Sequence, residues 1–387
     1  MPRLPLALLA LAAVIPSARA AVAPPTIGPA ESKALLRIAT KLSGLPAKRA
    51  VPVVSEDPLR FRQRRATAFA RLYPGSAQSY DAELYRSLGM SPDVGLVQKA
   101  LVRVVVQQAF YDPLTRKVYV SRGRASRAAV LQQLVGALQD QAFGLGRLRG
   151  FAHSRDARLA ALATAGGHAS LVAPVPTAGA RGGARLDRFL RLESAFPATV
   201  GLRLAADLHN LGGNAAVFGA LRRFPETTEQ IFHIDKLLER EDAVNIVLPA
   251  EAAGLRLVAD DTFGELDLRA LLAVFGIPRL AQVGEGWGGG RSAFYRSGPN
   301  FAAVLALDWD SESDAQQWAQ AAALYVTSAF GAAVAGQPAA TPCAANACWS
   351  RGSHAIAFER VGRRTALVLG TELAGSAELA RAILGEA

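Results

Sequence analysis

Histidine and cysteine are scarce: the 387 residues hold five His and two Cys. No two of His153, His168, His209, His233 and His354 are spaced to share one helix face, so the sequence offers no His pair for a metal. Cys343 and Cys348, in PCAANAC, lack the further Cys or nearby His that a metal or redox site needs. In an oxidising compartment so close a pair is expected to form a disulfide that pins a short surface loop. Aromatic residues make up only 7% and are not interleaved with the basic ones, which argues against a nucleic-acid surface. No G-x-S-x-G elbow is present, which removes that class of serine hydrolase. The glycine-rich runs ARGGAR and GWGGG lack the Lys-Ser/Thr of a phosphate loop. Beyond residue 20 no stretch reads as a membrane span. The most apolar one, Ala321 to Gly336, contains Thr327 and Ser328 and reads as a packed helix.

What is there begins with an export signal. Arg3 precedes an apolar run from Leu4 to Ile15, Pro16 ends it, and Ala18-Arg19-Ala20 supplies small residues where a signal peptidase reads. Residues 1–20 are therefore expected to be a cleaved signal peptide, and the protein to act outside the cytoplasm, secreted or in the cell envelope. An uncleaved anchor is the alternative. The run is about a dozen residues, short of the ~20 that cross a bilayer. The formal charge of +11 becomes 11 − 2 = +9 once Arg3 and Arg19 are removed. Most basic residues are Arg, scattered singly or in small groups, with Arg60 to Arg65 the densest. They allow at most a loose affinity for anionic cell-surface polymers. At 51% hydrophobic residues the chain can bury a sizeable core.

Residues 21–50 read as a Pro- and Ala-rich lead-in followed by a helix, and 51–387 as one domain, or two lobes hinged near 173–185, where APVPTAGARGGAR interrupts the pattern. Helical spacing occurs at Glu31–Leu42, Arg62–Arg71, Tyr80–Leu88 and Val94–Gln108. Short β-type runs around Asp112-Pro113-Leu114-Thr115 predict a hairpin over 109–122. A helix with a stripe of Val130, Leu131, Leu134, Val135 and Leu138 follows, and another is expected over Ser154–Val172. Beyond Val244 strands are expected at Val244–Leu248, Leu255–Ala259, Ser292–Arg296, Ala302–Leu307, Ala355–Glu359 and Thr365–Leu369, with helices at Glu265–Phe275, Asp314–Phe330 and Ser376–Leu384. The class is α+β, helix-rich.

The segment from Ala109 to Leu145 resembles a largely uncharacterised family of exported bacterial zincin-type metallopeptidases. Members carry a hairpin GYYDP-x-T-x-x-LYV and then a helix HE-x-x-HALQDQHFDL. Tyr111, Asp112, Pro113, Thr115, Tyr119 and Val120 match the first; Ala137, Leu138, Gln139, Asp140, Gln141, Phe143 and Leu145 match the second. Ala169, Leu171 and Val172 fall where the family has ALVEGDA-x-LV. Thr228, Glu229, Gln230, His233 and Lys236 resemble TEQ-x-x-HPEK. Gly264, Glu265, Leu266, Leu271 and Leu272 resemble GEL-x-x-x-x-LL, and Gly286 to Gly289 with Arg291 and Tyr295 resemble GWGGDR-x-x-LY. The resemblance implies a zincin-like fold with a hairpin ahead of the former active-site helix.

In an HExxH helix two His one turn apart hold zinc and the Glu serves as base. Aligned on the family, these positions hold Gln132, Gln133 and Gly136. The third ligand falls on Gly166, and His168 takes the place of the Asp in EGDA. Gln is a poor zinc ligand, Gly offers none, and Gln133 cannot take a proton as a carboxylate does. The resemblance therefore implies a pseudo-metallopeptidase without catalytic residues, metal or cofactor, its former cleft binding a peptide or a cell-envelope protein. Gln132, Gly136 and Gly166 are expected to face one another across that cleft. Two other readings stay open: a secreted hydrolase with a relocated site, and a structural envelope protein.

Overall fold

The computed structural model describes residues 27–72, 75–91, 95, 108–145, 154–176, 182–331, 345–351 and 354–385. The signal segment, most of the helix expected over Val94–Gln108, His153 and Cys343 lie outside these residues; Cys348 lies on a described strand.

The architecture is α+β. A small sheet comes first. β1 (Val53–Glu56) pairs in parallel with β3 (Lys117–Ser121), which pairs antiparallel with β2 (Ala109–Asp112), in the order β1-β3-β2. Period-two alternation gives this sheet two apolar faces. Phe110 and Tyr119 meet Phe61 of α2 (Pro58–Leu72) on one side. Val118 and Val120 meet α1 (Pro29–Ser43) and the helix after the hairpin on the other. α3 (Gly75–Ser87) leaves this layer to pack Leu84 and Tyr85 into the main core.

A helical middle follows: α4 (Arg127–Phe143), α5 (Arg155–Val172), α6 (Arg185–Ala195), a 3-10 turn (Phe196–Ala198), α7 (Val200–Arg222), and the short α8 (Glu229–Phe232) and α9 (Ile234–Glu239). Side chains are small where α5 crosses α7. A Cβ on Gly167 would lie 2.1 Å from the Gly201 carbonyl oxygen, and one on Gly201 would lie 2.3 Å from that of Ala163. The two backbones approach this closely only because those positions carry no side chain. The expected break at 173–185 falls between α5 and α6.

The C-terminal part is built on a seven-stranded antiparallel sheet, β4 (Glu251–Ala252), β5 (Leu255–Thr262), β6 (Trp287–Ser297), β7 (Asn300–Trp309), β8 (Ala347–Arg351), β9 (His354–Val361) and β10 (Arg364–Gly370), in the order β4-β5-β6-β7-β10-β9-β8. Helices cover both faces, so the central strands read as nearly unbroken apolar runs. Leu305, Leu307, Trp309, Leu367 and Leu369 face α3, α6, α10 (Glu265–Phe275) and α12 (Glu312–Phe330). Val304, Ala306, Ala366 and Val368 face α13 (Leu373–Leu384). α11 (Leu280–Glu285) leads into β6.

The β6–β7 and β9–β10 hairpins repeat one another. Phe294, Arg296, Gly298, Ala302, Val304 and Leu305 recur as Phe358, Arg360, Gly362, Ala366, Val368 and Leu369, always 358 − 294 = 64 residues on. Both turns are two-residue loops opening on a glycine at φ 57°, followed by a residue with negative φ, the type II′ arrangement that suits strand twist. The equivalent residues Val304 and Val368 pair directly across the β7–β10 seam, so a local two-fold axis passes between them. The helices break this symmetry: α12 and α13 lie on opposite faces.

One expected strand is absent. Residues 244–248 join no ladder; this arm crosses β6, with the Val244 N–H donating to the Gly288 carbonyl. The crossing accounts for the glycine run. A Cβ on Gly289 would meet the Val244 carbonyl at 2.5 Å, one on Gly290 the Phe263 carbonyl at 2.3 Å. GWGGG is thus a strand under a close backbone crossing.

Candidate functional site

The positions marked by the sequence lie on α4, α5 and β2. Ser126 caps α4 by accepting the Ala129 N–H, and Gly144 ends it in the left-handed region; Ser154 caps α5 by accepting the Ala157 N–H. The apolar stripe of α4 is buried on the small sheet as expected, with Leu131 at its partly exposed margin. That leaves the amide side chains of α4 for its other faces.

Each amide is committed. Gln132 Nε2 donates to Ser170 Oγ at 3.0 Å and to the Ala173 carbonyl at 3.4 Å. Gln133 Oε1 accepts the Tyr111 N–H of β2 at 3.0 Å, and Asp140, two turns on, accepts the Tyr111 hydroxyl at 2.7 Å. This pair fastens the hairpin to the helix. Gln139 Nε2 donates to the Ala165 carbonyl at 2.9 Å and lies 2.9 Å from His168 Nδ1. Because the amide nitrogen only donates, Nδ1 of His168 accepts, which leaves the ring proton on Nε2. His168 is 2% exposed and packs edge-on against Phe218; burial, with His209 adding to it, lowers its pKa to about 4. It is a neutral imidazole at neutral pH.

Gln132, Gln139 and His168 therefore meet at one α4–α5 seam. The two glycines do not complete it as expected. A Cβ on Gly166 would point at Pro197 Cβ, 2.6 Å away, so Gly166 serves the contact with the 3-10 turn rather than facing Gly136. Among the described residues, none comes within 4 Å of the Cβ direction of Gly136, which leaves open space there beside the seam. These side chains do not fit a zinc ion. They offer one imidazole, two amides already hydrogen-bonded and no carboxylate at the base position.

A second polar region links the helical middle to the sheet. Arg155, 7% exposed, donates to Asp267, Glu193 and Tyr85 Oη and lies 3.5 Å from Asp81. Next to it, Asp156 accepts from the Thr228 N–H at 2.9 Å and hydroxyl at 2.5 Å. A Cβ on Gly264 would overlap the Asp156 carboxylate, which explains that glycine. Burial raises Asp156 and Glu193 to about 7. Sequence reading missed this network: one Arg among many carries no spacing signal. Asp260 and Asp261 lie on β5. Asp260 pairs with Arg291, and Asp261 accepts the Arg155 N–H.

A third group is a carboxylate triad. Glu229, Glu241 and Asp310 bring their oxygens within 4.8 Å of one another, as a cation site would. Lys236 supplies the cation: its Nζ lies 2.5 Å from Glu229, 3.1 Å from Glu241 and 2.7 Å from Asp310. Burial lifts Glu229 to about 8. Lys236 thus ties α9, and Glu241 just beyond it, to the end of β7. His233 lies 3.2 Å from Glu265, which also accepts from Arg269, a structural position. No helix of the described residues is long and apolar enough to cross a membrane.

A family model described as a domain of unknown function (DUF8575) matches residues 254–380, a stretch that runs from the β4–β5 turn into α13. Over that stretch, about a third of the chain, the protein is similar to that family. No curated protein matches the chain, and neither does any solved structure.

Proposed function

We propose that this protein is a non-catalytic, exported relative of zincin-type peptidases, and that it binds an envelope partner rather than cutting peptide bonds. One observation carries the reading. The three HExxH positions hold Gln132, Gln133 and Gly136, and both amides work as internal fasteners. Gln133 is the sharpest case. A general base must present a carboxylate to water. Here an amide oxygen is spent on the N–H of a strand edge. That bond also occupies Tyr111 N–H, a group that a peptide adding to the β2 edge would need. A partner is therefore better accommodated at the open space beside Gly136 than along β2.

Metal analysis and proteolysis test this together. The purified protein is expected to carry no stoichiometric zinc and to leave casein intact with or without a chelator. Stoichiometric zinc that is lost on His168→Ala, or chelator-sensitive cleavage, would overturn the reading in favour of a relocated hydrolase site. Gly136→Leu is expected to keep the fold while blocking partner capture from envelope extracts; unchanged capture would move the binding site elsewhere.

A further inference from the structure

We propose that the outward face of α1 seats this protein on an anionic lipid bilayer. α1 divides its surface between a buried side and an outward one. Leu35, Ala39 and Ser43 point into the protein. The exposed arc then carries two adjoining stripes. Lys33, Arg37 and Lys41 stand one turn apart in the first. Ile38 and Leu42, 44% and 53% exposed, stand one turn apart in the second. Cations beside exposed branched aliphatics on one helix suit the boundary between headgroups and acyl chains. Among the described residues, the main contacts of α1 are with α4 and α5 and run through its buried side, not through either stripe.

The charge of the whole chain points the same way. Residues 27–144 hold 18 Lys and Arg against 8 Asp and Glu, a net +10, while residues 145–387 hold 23 against 24, a net −1. Residues 27–72 and 108–144, which build the layer that contains α1, by themselves hold 15 Lys and Arg against 5 Asp and Glu, so the excess positive charge lies there. Acids near that face are already engaged. Glu31 accepts from Arg127, and Glu56 accepts from Arg64. Lys48 and Arg49 continue the exposed basic surface beyond the Gly44 cap. A soluble polyanion would match the charge but would leave Ile38 and Leu42 in water. The rings of the small sheet, Phe61, Phe110 and Tyr119, are buried, so they cannot stack on bases.

Sedimentation of the full chain with lipid vesicles tests the proposal. Binding is expected with vesicles one-third phosphatidylglycerol, to be weak with pure phosphatidylcholine, and to fall as salt rises. The R37E/K41E double variant is expected to bind the anionic vesicles at least about tenfold more weakly, since each basic residue near such a surface contributes a several-fold factor. I38S/L42S is expected to lose several-fold. All these positions are exposed, so the far-ultraviolet circular dichroism and the melting temperature should match those of the unsubstituted chain. Equal binding to both lipids, or no effect of R37E/K41E, would overturn the proposal; in the latter case the apolar segment at residues 4–15 holds the vesicles. Equally tight binding to heparin, undiminished by I38S/L42S, would overturn it in favour of a polyanion site.

Discussion

Gly136 and Gly167 sit on neighbouring helices, and an added methyl group separates them. Gly136 has helical backbone, and among the described residues nothing stands before its Cβ. Gly136→Ala is expected to stabilise the protein by about 0.5–1 kcal/mol through helix propensity alone. Gly167→Ala drives a Cβ into the Gly201 carbonyl and is expected to cost several-fold more than that gain. Urea unfolding of both variants reads the opposite signs. Lys236 offers a second contrast. Replacing it by Met leaves Glu229, with 1% of its side chain exposed, among two other carboxylates. Losing the donor that these carboxyl groups share leaves a buried acid unsatisfied, at a cost of about 1–3 kcal/mol. Lys236→Met is therefore expected to lower the melting temperature sharply, with Glu229→Gln restoring part of the loss. Both effects depend on contacts between residues far apart in the chain. Nothing in the spacing around Gly167 or Lys236 announces them.

At the scale of elements, local pattern carried far. The spacing of Val130, Leu134 and Leu138 placed α4, the Asp112–Thr115 turn placed the hairpin, and the apolar run of Ala302–Leu307 placed β7. The arm at 244–248 was misread because branched residues favour extended backbone whether or not a ladder partner exists. β8 was missed because ACWSR is short and shows little alternation. The two repeated hairpins add a test at this scale. Gly298 and Gly362 hold the same turn conformation at φ 57°. Alanine at either position is expected to cost about 1 kcal/mol or somewhat more, since an L residue in that region is strained. Similar losses at the two sites, measured by chemical denaturation, would match their equivalent roles. A cost confined to one would mean that the β7–β10 seam does not treat its two hairpins alike.

For the molecule as a whole, buried acids set a pH response. Asp156 and Glu193 are raised to about 7 and Glu229 to about 8, all chiefly by burial, from ordinary values of 3.8 to 4.5. Between those limits the folded chain holds protons that the unfolded chain has released, so rising pH costs stability. His168, lowered to about 4 from 6.5, acts in the other direction, but only below 6.5. One histidine offsets only one of the three acids, so the melting temperature is expected to fall as pH rises from about 4.5 to 7 and to level off near pH 8. Asp156→Asn is expected to flatten that fall. Stability that continues to rise to pH 8 would show that these carboxylates ionise readily in the folded state.

The sequence alone determined the α+β class, most helices and strands, and which side chains stand at 132, 133 and 136, where the family it resembles carries HExxH. Those follow from local periodicity and from which side chains are present, and neither depends on folding. Tertiary structure decided what those residues do. Gln132 and Gln133 became fasteners because α5 and β2 pack beside α4. Gly166 turned to Pro197 because the 3-10 turn crosses α5 there. Arg37 and Lys41 came to stand beside Ile38 and Leu42 on an outward face because Leu35 and Ala39 of the same helix pack inward. A side chain's chemistry is carried by its own atoms, whereas its partner is set by the chain that folds against it.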